Sequence, residues 1–425
     1  MRMHSLALAG ADVAVVGGSI AGCAAALAAH RAGAGRITVH ERAAGRLAER
    51  GVGLAVHNDR YAELSAAGYL NASMPWVQLT TRRWYVRDGA APLGRQIAVQ
   101  PFPFRSYAWG PLWHALRDRL PSTVGFRAGV TVRSVTGSAD GATLHHDGGA
   151  DAGAGGGTKG IARFDLVIGA DGYRSVVRDA AFPDVRPGYA GYLAWRGTVS
   201  ADRLTTLDLP GLPKDPWAQE DCVYGAFPGG HVVIYRIPDG QGGHRANWVL
   251  YTAPPAGLEL RLDSPSSLPP GTLTEPLHAR FRQVADELLP PYWGGLIRLT
   301  PAQERFIQPI YDVTAPRYSH GRLVLLGDAA TVARPHTGAG AVKALQDAVA
   351  LESALRALPK RPEALASYGA ERGAAGREMV ELGRRLGRAF VQDTPDWRAS
   401  TQAELETAWA TADGKGAFGG RVLRD

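Results

Sequence analysis

Asp12-Val13-Ala14-Val15-Val16-Gly17-Gly18-Ser19-Ile20-Ala21-Gly22 is the stretch on which the fold turns. Five residues rich in β-branched side chains read as a short buried parallel strand. The glycines that follow read as a turn, and the alanine-rich run through about Ala32 reads as a helix. A second strand follows at Arg36-Ile37-Thr38-Val39-His40-Glu41, which places an acid about 20 residues past the glycine turn, as a dinucleotide-binding βαβ unit requires. Gly17 permits the tight turn, Gly22 lets helix and strand pack closely, and the helix N-terminus offers free N–H groups to a pyrophosphate. Ser19 stands where such turns carry a second glycine, and its hydroxyl is itself a phosphate donor. Glu41 is suited to accept hydrogen bonds from ribose hydroxyls. Cys23, just inside the helix, reads as a small packed hydrophobe, and Cys222 receives the same reading.

Working outward, two more apolar strands end in acids. Phe164-Asp165-Leu166-Val167-Ile168-Gly169-Ala170 runs into Asp171-Gly172, and Arg322-Leu323-Val324-Leu325-Leu326 runs into Gly327-Asp328. Ligands of open parallel sheets bind beyond the carboxyl ends of the strands, so Asp171 and Asp328 are expected at one crevice. Pro335-His336-Thr337-Gly338-Ala339-Gly340-Ala341 then leads into an amphipathic helix, a second glycine turn with a helix N-terminus beside the ligand.

These three motifs, in this order, resemble the single-component FAD-dependent aromatic hydroxylases related to para-hydroxybenzoate hydroxylase. Gly191-Tyr192-Leu193-Ala194-Trp195-Arg196-Gly197, Asn247-Trp248-Val249 and Ala333-Arg334-Pro335-His336-Thr337 look like the 2,6-dihydroxypyridine 3-hydroxylase branch. The resemblance implies an α/β fold: a Rossmann-type FAD-binding domain, an interleaved β-sheet substrate domain and a C-terminal helical segment. It implies that Gly17, Ser19, Ile20 and Gly22 line the FAD pyrophosphate, that Glu41 binds the adenosine ribose with Arg42 beside it, and that Asp328 holds the ribityl or phosphate side. Asp171 would contribute to FAD and nicotinamide contacts, Gly338, Ala339, Gly340 and Ala341 would present N–H groups to the flavin pyrimidine edge, and Gly51-Val52-Gly53-Leu54 would pass its other side. Trp109 stands where the family often has Arg or Gln, leaving Arg105 as a substitute FAD contact.

The implied reaction is a hydroxylation. NAD(P)H reduces FAD, O₂ adds at the flavin C4a, and one oxygen passes to an electron-rich aromatic or heteroaromatic ring. His336 is the first candidate for a base, against the plainer reading of a turn histidine bonded to backbone. Tyr224, Phe227 and Trp248 are candidates for the substrate pocket, with Trp84 and Phe104 as further walls. An epoxidase, a dehydrogenase and a non-catalytic flavin-binding protein are the competing readings; a halogenase lacks its W-x-W-x-I-P signature.

Alternating strands break the βαβ rhythm twice. The expected division is therefore 1–75, 105–186 and 300–385 for the FAD-binding unit, 76–104 and 187–299 for the substrate sheet, and 386–425 for a helical tail. Cys222–Phe227 and His231–Arg236 flank Pro228-Gly229-Gly230 and read as a hairpin. The glycine-rich run from Asp147 to Gly160 reads as a surface loop. From Pro362 the chain reads as helical, with Arg384, Arg385 and Arg388 on a solvated face.

The 425 residues carry a net charge of +7, 45% hydrophobic and 20% charged residues, and two cysteines. That composition is globular and excludes a disulfide scaffold. Without a block of five like charges or a zinc-finger spacing, nucleic acid is not an expected partner. No metal site is expected either, because His57, His231, Asp59 and Glu63 show no trusted ligand pairing. The uncharged run Val13–Ala29 mimics a membrane span, but its glycines belong to strand-turn-helix chemistry. A cytoplasmic monomer or homodimer is expected, with the basic balance tilting toward NADPH.

Overall fold

The structure, a computed structural model, describes residues 6–45, 53–148, 159–258, 268 and 273–420. Gly51, Val52 and most of the loop expected between Asp147 and Gly160 lie outside the described residues.

The quoted stretch forms a strand at Asp12–Val16 and a helix at Ile20–Arg31. The strand is the centre of a six-stranded sheet in the order 319–320, 323–325, 166–169, 12–16, 36–41, 124–128. Its pairings are parallel except at the 319–320 edge, with Val13 in register with Leu166 and Ile37. Both neighbours lie parallel to it, so the strand is covered on two faces, and Val13, Ala14 and Val15 are fully buried. Gly17, Asp171 and Asp328 consequently emerge at the same, carboxyl, edge.

A nine-stranded sheet forms the second layer, in the order 331–332, 306–314, 188–199, 244–252, 230–238, 221–227, 77–86, 95–108, 53–57. The expected hairpin closes through Pro228-Gly229, with Phe227 paired to Gly230 and Gly229 at φ +79°. This roof also takes in Gly53–His57 and Phe306–Thr314, segments that the sequence reading assigned to the flavin unit. A three-stranded meander, 131–137, 142–147 and 159–164, flanks the six-stranded sheet.

Helix Arg361–Gly387 spans both layers, and helix Gln402–Asp413 lies against the roof. The arginines of the former are not simply solvated. Arg384 donates to Asp312 (2.7 Å), and Arg385 donates to the Ala412 carbonyl at the C-terminal end of the second helix (2.9 Å). Among the described residues, no helix is long and apolar enough to cross a membrane.

Candidate active site

The two layers enclose a cavity of ≈ 680 Å³, within the range of cofactor and substrate pockets. Its floor is made largely of main chain. Gly17 adopts φ +96°, and a Cβ there would lie 2.3 Å from the Ala170 carbonyl oxygen; a Cβ on Gly22 would lie 1.9 Å from the oxygen of Gly17. Both positions need glycine for close approach. Helix Ile20–Arg31 opens toward the cavity with no acid in its first turn, and Ser19 at its N-cap makes no side-chain cap. Its hydroxyl and the first N–H groups are therefore uncommitted. Glu41 accepts from the Gly18 and Ala43 N–H groups, both at 2.8 Å, which fixes its carboxylate beside the turn with lone pairs to spare. Trp113 Nε1 donates to the Gly18 carbonyl (2.8 Å), and Trp109, stacked on Trp113, lines the cavity.

The two acidic turns are wired differently. Asp171 Oδ2 accepts from Val176 N–H (2.8 Å), while Oδ1 is buried and unpartnered, and burial pushes its carboxyl up to about 6. Arg178, buried at 1 % exposure, links the two turns by donating to the Tyr173 carbonyl (2.7 Å) and the Ala329 carbonyl (3.3 Å). Gly327, at φ +62°, is held by Asp347, whose Oδ2 accepts from its N–H (2.9 Å). Asp347 is fully buried and also accepts from Lys343 (2.6 Å) and Arg372 (2.7 Å). This buried ion network positions Asp328, whose own carboxylate lines the cavity and is raised above the ordinary carboxylate range by desolvation, with Lys343 opposing. The sequence reading missed the network; its signal is a Lys–Asp pair four apart in an alanine- and leucine-rich helix.

Helix Gly340–Ala357 supplies the second open N-terminus, again with no first-turn acid and no side-chain cap. Gly338 at φ +62° turns the chain, and Gly338, Ala339, Gly340 and Ala341 all line the cavity. Two uncapped helix N-termini, an orphaned carboxylate oxygen and a glycine cradle that Cβ atoms would fill thus face one space. That donor set fits FAD, an anionic dinucleotide joined to an electron-accepting ring. Arg42 and Gly53 also line the cavity, and Gly53 donates to Asn247 (2.7 Å). Arg105 does not line it: its guanidinium packs 3.6 Å from the Tyr61 ring centre and 4.2 Å from that of Trp76. The stand-in proposed for the missing family residue is therefore not at the site, and Trp109 occupies that wall.

The roof contributes side chains, and strand alternation decides which. On strand 221–227, Cys222 and Tyr224 face the cavity, whereas Phe227 packs on the far face. On strand 244–252, Val249 and Tyr251 face it, whereas Trp248 is fully buried on the far side, with Nε1 donating to Thr300 Oγ1 (2.8 Å). Phe227 and Trp248, expected as substrate contacts, are core residues of the outer layer. Phe104 lines the cavity; Trp84 stands behind Tyr224, donating to Gln100 (3.0 Å).

His336 is brought in as expected, but its bond is not to backbone. Nε2 lies 2.9 Å from the Tyr192 hydroxyl, and the ring packs 4.2 Å from that of Tyr251. Burial, with His231 and two arginines nearby, holds it well below the ordinary histidine range, so it is neutral at pH 7. His231, missed by the sequence reading, is also neutral, pulled down to about 4 by burial. Its Nδ1 donates to the Phe390 carbonyl (2.9 Å), which leaves Nε2 a bare acceptor. Arg196, also missed, lines the cavity with its Nε donating to Gln308 (3.1 Å) and supplies positive charge beside Tyr251 and His336.

Comparison with known proteins agrees with this geometry. Residues 276–382 match an FAD binding domain family, and residues 189–312 match an FAD binding domain-like family. A 3-amino-4-hydroxybenzoate 2-monooxygenase of Streptomyces platensis is 30% identical over 399 residues, covering 91% of this chain and 90% of the relative. The 2,6-dihydroxypyridine 3-monooxygenase of Paenarthrobacter nicotinovorans is 29% identical over 79% of this chain and 80% of its own. The solved 2,6-dihydroxypyridine-3-hydroxylase from Arthrobacter nicotinovorans superimposes with a TM-score of 0.75 at 24% identity, covering 92% of this chain and 96% of that one. With the motifs, the two-layer fold and the cavity in agreement, the chain belongs to the single-component FAD-dependent aromatic hydroxylases, monooxygenases that use FAD, NAD(P)H and O₂.

Proposed function

We propose that the cavity hydroxylates a phenolic or hydroxylated heteroaromatic ring, with the floor holding FAD and the roof holding the substrate. Relatives that act on a dihydroxypyridine and an aminohydroxybenzoate support that substrate class. The bound flavin supplies the redox chemistry with NAD(P)H and O₂; the protein supplies orientation, electrostatics and exclusion of water. Gly17, Ser19, Ile20 and Gly22 form the pyrophosphate cradle, with Glu41 on the adenosine ribose and Arg42 beside it. Asp328 and Asp171 hold the polar chain of the cofactor. Gly338, Ala339, Gly340 and Ala341 would hold the flavin ring edge with backbone N–H groups, whose fixed dipoles would favour negative charge there. The six-stranded layer acts as the cofactor unit, the nine-stranded layer, Gly53–His57 and Phe306–Thr314 included, as the substrate unit, and helix Gln402–Asp413 covers the roof.

A phenol reacts faster as its anion. Neutral His336 takes the hydroxyl proton, Tyr192 is its hydrogen-bond outlet, and the Arg196 charge stabilises the resulting oxyanion. The single observation that carries this reading is neutral His336, bonded to the buried Tyr192 and lining the same cavity as Arg196 and the two helix N-termini. Exposed Arg42 and Arg174 at the cavity wall, with a net charge of +7, favour NADPH. A cytoplasmic monomer or homodimer completes the reading.

His336→Gln tests it. FAD content should be unchanged, while the turnover rate on a phenolic substrate falls about 100-fold at pH 7. The deficit should shrink as the pH approaches the phenol's own pKa. Wild-type rates at every pH would remove His336 from the mechanism.

A further inference from the structure

The cavity wall is thin where the C-terminal segment crosses the seam between floor and roof. Trp409, on the last helix, and Phe418, beyond its end, both line the cavity and are themselves only half-buried, so a single layer of rings parts the chamber from solvent. The two rings meet edge to face at 5.0 Å, but they are held in opposite ways. Trp409 is fixed: the buried Arg82 guanidinium lies 3.5 Å from its ring centre, and Arg385 caps the helix by donating to the carbonyls of Ala412 (2.9 Å) and Asp413 (3.3 Å). Phe418 rides on a strap, residues 414–420. Residues 414–416 are exposed, and Gly414 and Gly416 both adopt φ +68°. A Cβ on Gly416 would meet nothing within 4 Å, so glycine there serves the backbone and not space.

Among the described residues, two hydrogen bonds tie the strap to the protein beyond the last helix. The Gly419 N–H donates to the Thr337 carbonyl (2.8 Å), and Arg60 Nε donates to the Gly420 carbonyl (2.9 Å). Between the glycines and these bonds, the Phe418 ring packs 5.4 Å from that of Phe104 on the roof and over Gly338 on the floor, where a Cβ would lie 3.5 Å from it. One ring and two bonds therefore close the seam, and so sparse an attachment is typical of elements that open locally. A second way in is needed, because the exposed wall at Arg42 and Arg174 belongs to the side that holds the dinucleotide. The strap also ends on the turn that follows His336, through Thr337 and Gly338.

We propose that residues 414–420 are the gate of the substrate chamber. The strap swings on Gly414 and Gly416, carries Phe418 away from Phe104 and Gly338, and leaves Trp409 as the fixed side of the opening. Closure remakes the bonds at Gly419 and Gly420, sets the turn that carries His336, and shuts water out behind the substrate. Arg60, which does not line the cavity, is the latch. The passage of substrate, though not the motion of the strap, rests on the reading of the cavity as the chamber of a hydroxylase.

Hydrogen exchange of the FAD-loaded protein tests the motion without any substrate. The Gly419 amide, buried and hydrogen-bonded, should exchange about 100-fold faster than the buried amides of helix Gly340–Ala357, and Arg60→Met should speed it about tenfold further while the helix is unaffected. A Gly419 amide no faster than the helix overturns the gate, and so does an Arg60→Met protein in which both change together. Passage is read by stopped-flow flavin absorbance, without NADPH, using a panel of phenols, hydroxypyridines and hydroxybenzoates as probes. Phe418→Ala should raise association and dissociation rates together about tenfold, and Phe418→Trp should lower both, with the dissociation constant moving far less. Rates unchanged in both variants overturn the gate as the entrance. A fast Gly419 amide in a protein that binds no ring of the panel would leave the motion standing and remove the hydroxylase reading of the chamber.

Discussion

The floor and the roof of the cavity are built on opposite principles. The floor meets its ligand with backbone: two helix N-termini, three positive-φ glycines at 17, 327 and 338, and carboxylates held by main-chain N–H groups. The roof meets its ligand with side chains standing on a rigid sheet, Tyr224, His231, Tyr251 and Arg196 among them. Most side-chain substitutions leave backbone donors in place, so such a floor keeps its ligand while side chains vary, as Ala339 and Ala341 illustrate. A sheet face can be rewritten residue by residue without disturbing the ladder beneath it. One cavity thereby combines a fixed cofactor with an adjustable substrate.

The strongest way to break that contrast is to place a side chain on the floor. Gly17→Ala must accommodate both φ +96° and a Cβ 2.3 Å from the Ala170 oxygen. It should cost at least about 2 kcal/mol of stability and abolish FAD retention, read by thermal unfolding and flavin absorbance. Normal flavin content would mean that the turn does not carry the cofactor. Asp328→Ala separates ligand from fold on the same wall. Among the described residues its carboxylate has no hydrogen-bond partner, so the apoprotein melting temperature should hold while FAD affinity drops about 30-fold or more. Unchanged affinity would refute its role.

On the roof, Arg196→Met should lower kcat/KM about 30-fold with flavin content intact; loss of FAD instead would collapse the distinction between the walls. Strand alternation can be tested on neighbours. Trp248→Phe should cost about 1–3 kcal/mol of stability and spare KM, because it shrinks a buried side chain and removes the donor to the Thr300 hydroxyl. Tyr251→Phe should leave stability within about 0.5 kcal/mol and shift KM. The reverse pattern would put the substrate on the other face.

The smallest effect expected is that of pH. His231 and His40 are both about 4 in the folded chain, lowered by burial. A depressed histidine is neutral in the fold and takes up a proton more readily when unfolded. Its contribution is therefore present above the unfolded value near 6.5 and is lost as pH falls from there through 4. Each histidine accounts for up to about 3 kcal/mol over that window. Chemical denaturation of the apoprotein should show the decline, and His231→Gln should make it shallower; an equal slope in the variant would show that the ring is not the source.

Gly17, Gly22, Asp171 and Asp328 were legible in the sequence because backbone chemistry dictates them locally: a turn needs glycine, and an acid after a parallel strand reaches the carboxyl edge. The roof was legible as strands but not as faces. A slip of one residue exchanges Trp248 for Val249, and only the pairing of the sheet settles which points inward. Arg105 looked available because nothing nearby in sequence announces Tyr61 and Trp76 as its partners. Arg82 meets Trp409 across more than three hundred residues, a contact that no local pattern records.

The most direct test of the account is the fate of oxygen. FAD-loaded protein should be supplied with NADPH and ¹⁸O₂ across a panel of phenols, hydroxypyridines and hydroxybenzoates, with peroxide counted alongside. The two-walled hydroxylase predicts one compound class that accelerates NADPH oxidation, keeps peroxide low and gains one labelled oxygen per NADPH consumed. Acceleration by none of them, or electrons recovered only as peroxide, would contradict it.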